Sequence, residues 1–199
     1  MRLFLMLLLL FSHSALSKEF DTDPQAIETI DISKGYKTVK YSKRYTFTIP
    51  GDFKKKRLSS GSKFLVITTS NDKGVFAMDE ILGSNKVLFN PSRYGLNSYS
   101  RRQLISAIFD NDHDSNNEVN ETRKLIFEHS NNVEVYKRAG FLFFRKDRND
   151  DLKTKVELTI STPINDDVLS IGFFIDDEEL IMNVIKSLKV NKPVFDSLP

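Results

Sequence analysis

The chain has 199 residues, of which 40% are hydrophobic and 28% are charged, and it contains 16 Phe but no Cys and no Trp. This content of large apolar residues excludes a disordered chain, and 8 Gly with 6 Pro are too few for a collagen-like or low-complexity one. The lack of Cys excludes disulfides and thiolate metal sites. What remains is one folded domain of ordinary size.

The first residues have the pattern of a secretory signal peptide. Met1 and Arg2 form a short positive start, residues 3–11 are almost wholly Leu, Phe and Met, and Ala15 and Ser17 are small residues placed as before a cleavage site. The apolar run is too short for a bilayer-spanning helix, which needs ~20 residues. We therefore predict export to a bacterial periplasm, which also suits a chain without Cys.

Four segments follow from this pattern. We predict a signal peptide over residues 1–17, an N-terminal arm over 18–36, a single α+β domain over 37–192, and a C-terminal tail over 193–199. The arm shows little hydrophobic periodicity. The domain has neither a repeat nor a linker, so one antiparallel sheet packed by an internal helix and a C-terminal helix is the simplest fold.

The first half of the domain contains three short apolar runs typical of strands. Tyr45–Ile49 alternates apolar and polar residues, and Phe64–Ile67 and Val75–Met78 flank a turn. Residues 83–98 are rich in Asn, Ser, Gly and Pro, which predicts a long loop. Ser100–Phe109 places its apolar residues at helical spacing and predicts a helix with its two arginines in solvent.

The second half predicts a meander of about four antiparallel strands. Alternation over 133–136 leads through Ala139-Gly140 to Phe141–Phe144, which is a hairpin pattern. Two further alternating segments lie at 156–160 and 169–175. Before the meander, the short apolar run 125–127 is interpreted as a strand.

A helix is predicted to close the domain. Asp176 or Asp177 can cap its first turn, and Lys186 and Lys189 suit the negative end of its dipole. Its apolar residues recur at helical spacing, so we expect them to pack on the meander. This stripe consists of Leu180, Ile181, Val184, Ile185 and Leu188.

Charge is unevenly distributed along the chain. Residues 18–109 carry 16 Lys and Arg against 9 Asp and Glu, whereas residues 110–199 carry 12 against 18. The main runs are the basic 54–57 and the acidic 176–179. Two oppositely charged faces could steer a partner, but mixing of both halves in one fold would cancel them, and we favour mixing. The basic run lacks the aromatic pattern of a nucleic-acid site.

Catalytic chemistry has little support in the sequence. His113 and His129 are the histidines beyond the leader, they lie too far apart for a compact zinc motif, and a Gly-x-Ser-x-Gly elbow is absent. Paired carboxylates at 150–151 and 166–167 fall in predicted turns, where they usually stabilise the turn. We therefore predict a protein that is not an enzyme; a hydrolase with a carboxylate or metal site is the reserve interpretation.

One acidic loop matches the ligand spacing of an EF-hand-like calcium site. Asp110, Asp112, Asp114, Glu118 and Glu121 fill its first, third, fifth, ninth and twelfth positions. Ser115 replaces the turn-forming Gly, and Asn117 replaces an apolar residue. The alternative is a solvated loop in which such residues are simply common.

Calorimetry on the mature chain distinguishes these alternatives. A calcium loop should give binding heat at millimolar Ca²⁺ and a raised melting temperature, because a ligand of the native state stabilises that state. Asp112→Asn with Asp114→Asn should abolish both effects. A wild-type chain without heat or a shift in melting would exclude the calcium site.

Two segments resemble PsbP-like and DcrB-like domains. The chain ends with a strand at 169–175, a helix and the phrase Ser187-Leu188-Lys189, and its domain begins with a strand running into Pro50 and an aromatic residue, Phe53, where the families usually have Trp. The resemblance implies an antiparallel sheet between helices, generally without catalytic residues. Some exported proteins of this general type are immunity proteins against type VI secretion effectors.

These observations favour a non-enzymatic periplasmic protein that neutralises a partner protein, such as a secreted toxin. Phe89, Tyr94 and Tyr99 are the candidate aromatic anchors for that partner, unless they simply pack their loop onto the sheet. The alternative is an envelope accessory or ligand-binding protein of PsbP-like type, which could bind calcium through the 110–121 loop.

Overall fold

The structure is a computed structural model that describes residues 24–29, 34–41, 44–57, 64–71, 73–81, 89–109, 116–149, 153–164 and 167–191. The predicted leader and C-terminal tail lie outside these residues. The helices are α1 (Arg101–Phe109), α2 (Asn117–Glu128) and α3 (Glu178–Ser187), with a short 3-10 helix at Pro91–Tyr94. The strands are β1 (Gln25–Ala26), β2 (Tyr36–Tyr41), β3 (Tyr45–Pro50), β4 (Lys54–Arg57), β5 (Leu65–Thr68), β6 (Gly74–Ile81), β7 (Ser130–Arg138), β8 (Phe141–Arg148), β9 (Val156–Ser161), β10 (Val168–Phe173) and β11 (Lys189–Val190).

The predicted α+β fold is confirmed, and its main element is an eight-stranded sheet of order β1-β7-β8-β9-β10-β6-β5-β4. Neighbouring strands in this sheet are antiparallel, except that β1 pairs in parallel with β7. The predicted meander is the run β7–β10. Its first turn holds Ala139 at φ 45° and Gly140 at φ 82°, which is the pair of positive φ angles that a two-residue hairpin needs.

A second sheet of order β11-β3-β2 packs beside the large one. Of its three strands, sequence patterning predicts only β3. The turn after β3 brings the backbone of Gly51 against the residue before β2, since Gly51 N–H donates to Gly35 O at 2.7 Å. A Cβ at position 51 would lie 2.9 Å from that oxygen, so the close approach requires glycine.

Apolar side chains form two cores, one on each face of the large sheet. The first core joins both sheets and α3, and Phe76 lies at its centre, with ring centroids 5.8 Å from Phe47 and 5.1 Å from Phe173. The second core joins the sheet to α1 and α2, where Phe109 stacks on Phe144 at 4.5 Å. Full burial of one such side chain stabilises the fold by about 1.5–3 kcal/mol.

The closing helix is confirmed, with Asp177 as its N-cap accepting from Leu180 N–H at 3.0 Å. Its predicted apolar stripe is buried. The stripe shares the first core with the meander, but the helix also lies along β3, where Asn183 Nδ2 donates to Thr48 O at 2.9 Å and Thr48 N–H donates to Ser187 Oγ at 2.9 Å. The helix therefore contacts both sheets, whereas the sequence predicted packing on the meander alone, because it did not predict the small sheet.

The strand interpretation of residues 125–127 is wrong, since these residues lie in α2. Asn116 caps this helix by accepting from Glu118 N–H at 3.0 Å and Val119 N–H at 3.1 Å. Val119, Thr122 and Phe127 are buried against the second core, whereas Leu125 is 68% exposed. Three apolar residues in a row thus mimic a strand, although the apolar face repeats at helical spacing.

A buried arginine ties α3 to the large sheet. Arg138 on β7 is 5% exposed and donates through Nε to Ile185 O at 3.2 Å and through Nη2 to Leu188 O. It also donates to Thr29 Oγ1 at 3.0 Å. Burial lowers the pKa of Arg138 below its ordinary value, but arginine keeps its proton in proteins. The guanidinium therefore satisfies carbonyls at the negative end of α3.

Arg138→Ala should lower the free energy of unfolding by about 2–3 kcal/mol, because it leaves buried carbonyls without a donor. Lys137→Ala is the matched control on the same strand, since Lys137 is exposed and its truncation should change stability by less than about 0.5 kcal/mol. Urea unfolding measures both. Equal losses in the two variants would contradict the role assigned to Arg138.

Candidate functional site

Charged side chains gather on three parts of the described chain, and one centres on Arg145 of β8. Its side chain is 8% exposed, and it contacts Asp147 Oδ1 at 2.8 Å, Glu178 Oε2 at 2.7 Å and Glu134 Oε2 at 3.6 Å. Glu134 is its partner across β7 and β8. Three carboxylates around one guanidinium leave this area with a net negative charge.

The electrostatics of the Arg145 cluster follow from partial burial. Burial raises the pKa of Asp147 above its ordinary value, although Arg145 opposes this effect. Burial and Glu134 together raise the pKa of Tyr136, whose hydroxyl donates to Glu134 Oε2 at 2.5 Å. Burial alone would lower the pKa of Arg145, but bonds to Asp147 and Glu178 raise it. We call Glu134, Asp147, Asp176, Glu178 and Glu179 the acidic surface.

A second ion cluster lies on the opposite face of the sheet, where Glu157 pairs with Lys146 and Arg148. Lys146 Nζ lies 2.7 Å from Glu157 Oε2, and Arg148 Nη1 lies 2.6 Å from Glu157 Oε1. Burial by itself would raise the pKa of Glu157, but the two cations outweigh it and hold that pKa below its ordinary value. This cluster joins β8 to β9 through two cations that share one carboxylate, which is typical of a structural ion pair.

The third charged area is basic and lies where the ends of the two sheets meet. β4 is the last strand of the large sheet, and β2 is the last strand of the small one. They lie beside each other, since Lys55 Nζ on β4 donates to Lys40 O on β2 at 2.9 Å, and Lys37 Nζ on β2 donates to Gly51 O at 2.7 Å and to Phe53 O. We call this area the basic corner; its exposed lysines are Lys37, Lys40, Lys54, Lys55 and Lys56.

Several lysines of the basic corner donate to backbone carbonyls. The bonds of Lys37 go to backbone carbonyls, and Lys54 Nζ donates to Ser70 O at 3.0 Å. A carbonyl acceptor orients an ammonium group without neutralising it. The acidic surface borders this corner at the start of β2, where Tyr36 Oη donates to Glu179 Oε1 at 3.0 Å. The result is a bipolar area that can orient a charged partner.

The candidate partner residues have different surroundings. Phe89 and Tyr94 are 7% and 4% exposed and belong to the second core, and Tyr94 Oη accepts from Thr122 Oγ1 at 3.3 Å. Both therefore pack their segment against α1 and α2. Tyr99 is half-buried. An anchor must be exposed to reach its partner, so the exposed charged surfaces are better suited to bind one.

The candidate calcium ligands are only partly described. Glu118 and Glu121 are exposed in the first turns of α2, while Asp110, Asp112 and Asp114 lie outside the described residues. Across the ranges that are described, His, Asp and Glu side chains do not gather in threes suited to a metal. The calcium loop therefore stays a prediction.

The residues weighed for catalysis are engaged or exposed where the structure describes them. Asp167 is buried, bonds to Arg44 and accepts from Tyr45 Oη at 3.1 Å, so it fastens the small sheet to the turn between β9 and β10. His129 is exposed at the C-cap of α2. His113 and the carboxylates at 150, 151 and 166 lie outside the described residues.

Arg101 and Arg102, expected in solvent, are half-buried and donate to Phe89 O and Gly140 O.

Comparisons with protein-family models, curated proteins and solved structures find no match for this chain. The resemblance to PsbP-like and DcrB-like domains therefore stays a prediction. Among the helices described, none combines the length and apolar character of a membrane span.

Glu157→Gln provides a test of the structural ion pair through pH. The folded-state pKa of Glu157 lies below the ordinary 4.5, so its pairing stabilises the fold above that pH and is lost as pH falls through the folded-state pKa. The variant should lose about 0.5–1 kcal/mol of unfolding free energy near neutral pH and nothing near pH ~2. Glu121→Gln is the control, because Glu121 is exposed, and it is measured in the absence of calcium. A pH-independent loss in urea unfolding would contradict the assignment.

Proposed function

We propose that this chain is an exported, non-enzymatic protein that binds and neutralises a partner protein, as an immunity protein does against a secreted antibacterial effector. The basic corner is the observation that supports this most directly. It combines exposed lysines with the outer strands of two sheets, so it offers both charge and backbone hydrogen-bonding groups to another chain.

Electrostatics suit such a role. A neutralising protein must reach its target before the target acts, and complementary charge raises association rates well above those of neutral surfaces. The basic corner and the acidic surface adjoin at Tyr36 and Glu179. A partner with a matching bipolar surface would be attracted and also oriented.

The pairing of three carboxylates is consistent with a binding role. Asp147, Glu157 and Asp167 are each held by arginine or lysine. A carboxylate that acts as an acid or base needs access to the reacting group, whereas these three connect neighbouring elements of the fold. Their arrangement supports a rigid scaffold that presents surfaces to a partner.

A competition assay tests the proposal. The source strain with this chain deleted should lose viability beside an effector-secreting sibling strain, and the full chain supplied from a plasmid should restore it. A chain lacking residues 1–17 is the control for export and should not protect. Equal survival of the deletion and parent strains would refute neutralisation. Recovery of the tagged chain with a stable envelope assembly would favour the accessory-protein alternative.

A further inference from the structure

The outer edge of β4 is the part of the basic corner best suited to bind another chain. β4 pairs with β5 on one side, from Lys54 opposite Thr68 to Arg57 opposite Leu65. On its other side, no strand among the described residues pairs with it. An end strand of this kind presents a row of backbone N–H and C=O groups, which an extended segment can use as a template.

The side chains of β4 determine which segment can bind there. Lys54 and Lys56 lie on one face of the sheet because strand residues alternate, and both are exposed. Lys55 lies on the other face and spans the gap to β2 through its bond to Lys40 O at 2.9 Å. Lys37 and Lys40 continue the positive charge along β2. An added strand would therefore lie beside several positively charged side chains.

We propose that an extended acidic segment of the partner protein adds as a strand to the outer edge of β4. This inference rests on the proposed function and names the part of the partner that is bound. The segment carries Asp or Glu at alternate positions, because side chains two residues apart on an added strand face the same side as Lys54 and Lys56. Main-chain bonds provide affinity, and the lysines select for acidic sequence.

Two other occupants fit the surface less well. A second copy of β4 would bring its own lysine run against this one, and like charges opposite each other destabilise strand pairing. An anionic lipid surface would be held by charge alone, since Leu125 on α2 is the large apolar side chain that stands exposed in the described part of the chain. Lysines on an end strand thus prevent self-association and at the same time favour an acidic strand.

Two synthetic peptides of about ten residues, the length of a long strand, test the mode of binding. Alternating Glu-Val can form a strand, whereas alternating Glu-Pro carries the same charge but lacks half of the N–H donors. In hydrogen–deuterium exchange on the mature chain, Glu-Val should slow exchange of the outward-facing amides of β4, and Glu-Pro should not. Absence of protection by Glu-Val, or equal binding of both peptides, would overturn strand addition.

Charge reversal tests the recognition. Lys54→Glu with Lys56→Glu should weaken Glu-Val binding at least tenfold. The matched control is Lys124→Glu with Lys137→Glu, which makes the same change in net charge at exposed positions on α2 and β7 and should retain binding. Thermal melting confirms that both variants are folded. If the control weakens binding equally, net charge and not β4 determines it, and the inference fails.

The same variants separate this inference from the proposed function. In the competition assay, the wild type and the control should protect and the β4 variant should not. Protection by all three would overturn the inference and leave neutralisation standing, whereas failure of the wild type would remove both. Binding of the wild type, but not the β4 variant, to phosphatidylglycerol vesicles without any binding of Glu-Val would assign the surface to lipid instead.

Discussion

The two cores of this protein depend on the alternation of side chains along β8. Phe141 and Phe143 belong to the first core, and Phe144 stacks on Phe109 in the second. A shift of one residue in the pairing of β8 would exchange these sets, because the side-chain period of a strand is two. The Ala139-Gly140 turn sets that register against β7, since its two positive φ angles specify a two-residue connection.

Two arginines on neighbouring strands hold the two ends of α3. Arg138 on β7 donates to carbonyls at the C-terminal end, and Arg145 on β8 pairs with Glu178 at the N-terminal end. A cation at the C-terminal end is favourable for the helix dipole, and at the other end the carboxylate of Glu178 lies between the cation and the helix. The helix is thus positioned on the sheet by specific bonds as well as by its apolar stripe. The acidic surface is a consequence of this attachment, because it places the first turn of α3 beside Asp147.

How far the sequence predicts the structure depends on how each residue is buried. Strands with one buried face, such as β9, show clear alternation and are predicted. β2 and β4 lie at sheet ends, and their exposed lysines obscure the pattern, so the run 54–57 is recognised as basic but not as a strand. Arg145 follows Phe141 and Phe143 at spacing two on one strand face, which could have indicated a partly buried arginine. Phe89 and Tyr94 have an aromatic signature that fits both packing and binding, and the tertiary structure shows packing.

The sequence by itself determined the α+β class, the β7–β10 meander, the closing helix with an aspartate cap at position 176 or 177, and the separation of basic and acidic residues along the chain. These features depend on local periodicity and capping, which short segments contain in full. Only the tertiary structure decided that the basic residues lie where the last strands of two sheets meet, and that the acidic residues surround Arg145. The reason is that both surfaces are built from residues far apart in the chain. Lys40 meets Lys55, and Arg145 meets Glu178, through pairings that no local pattern specifies.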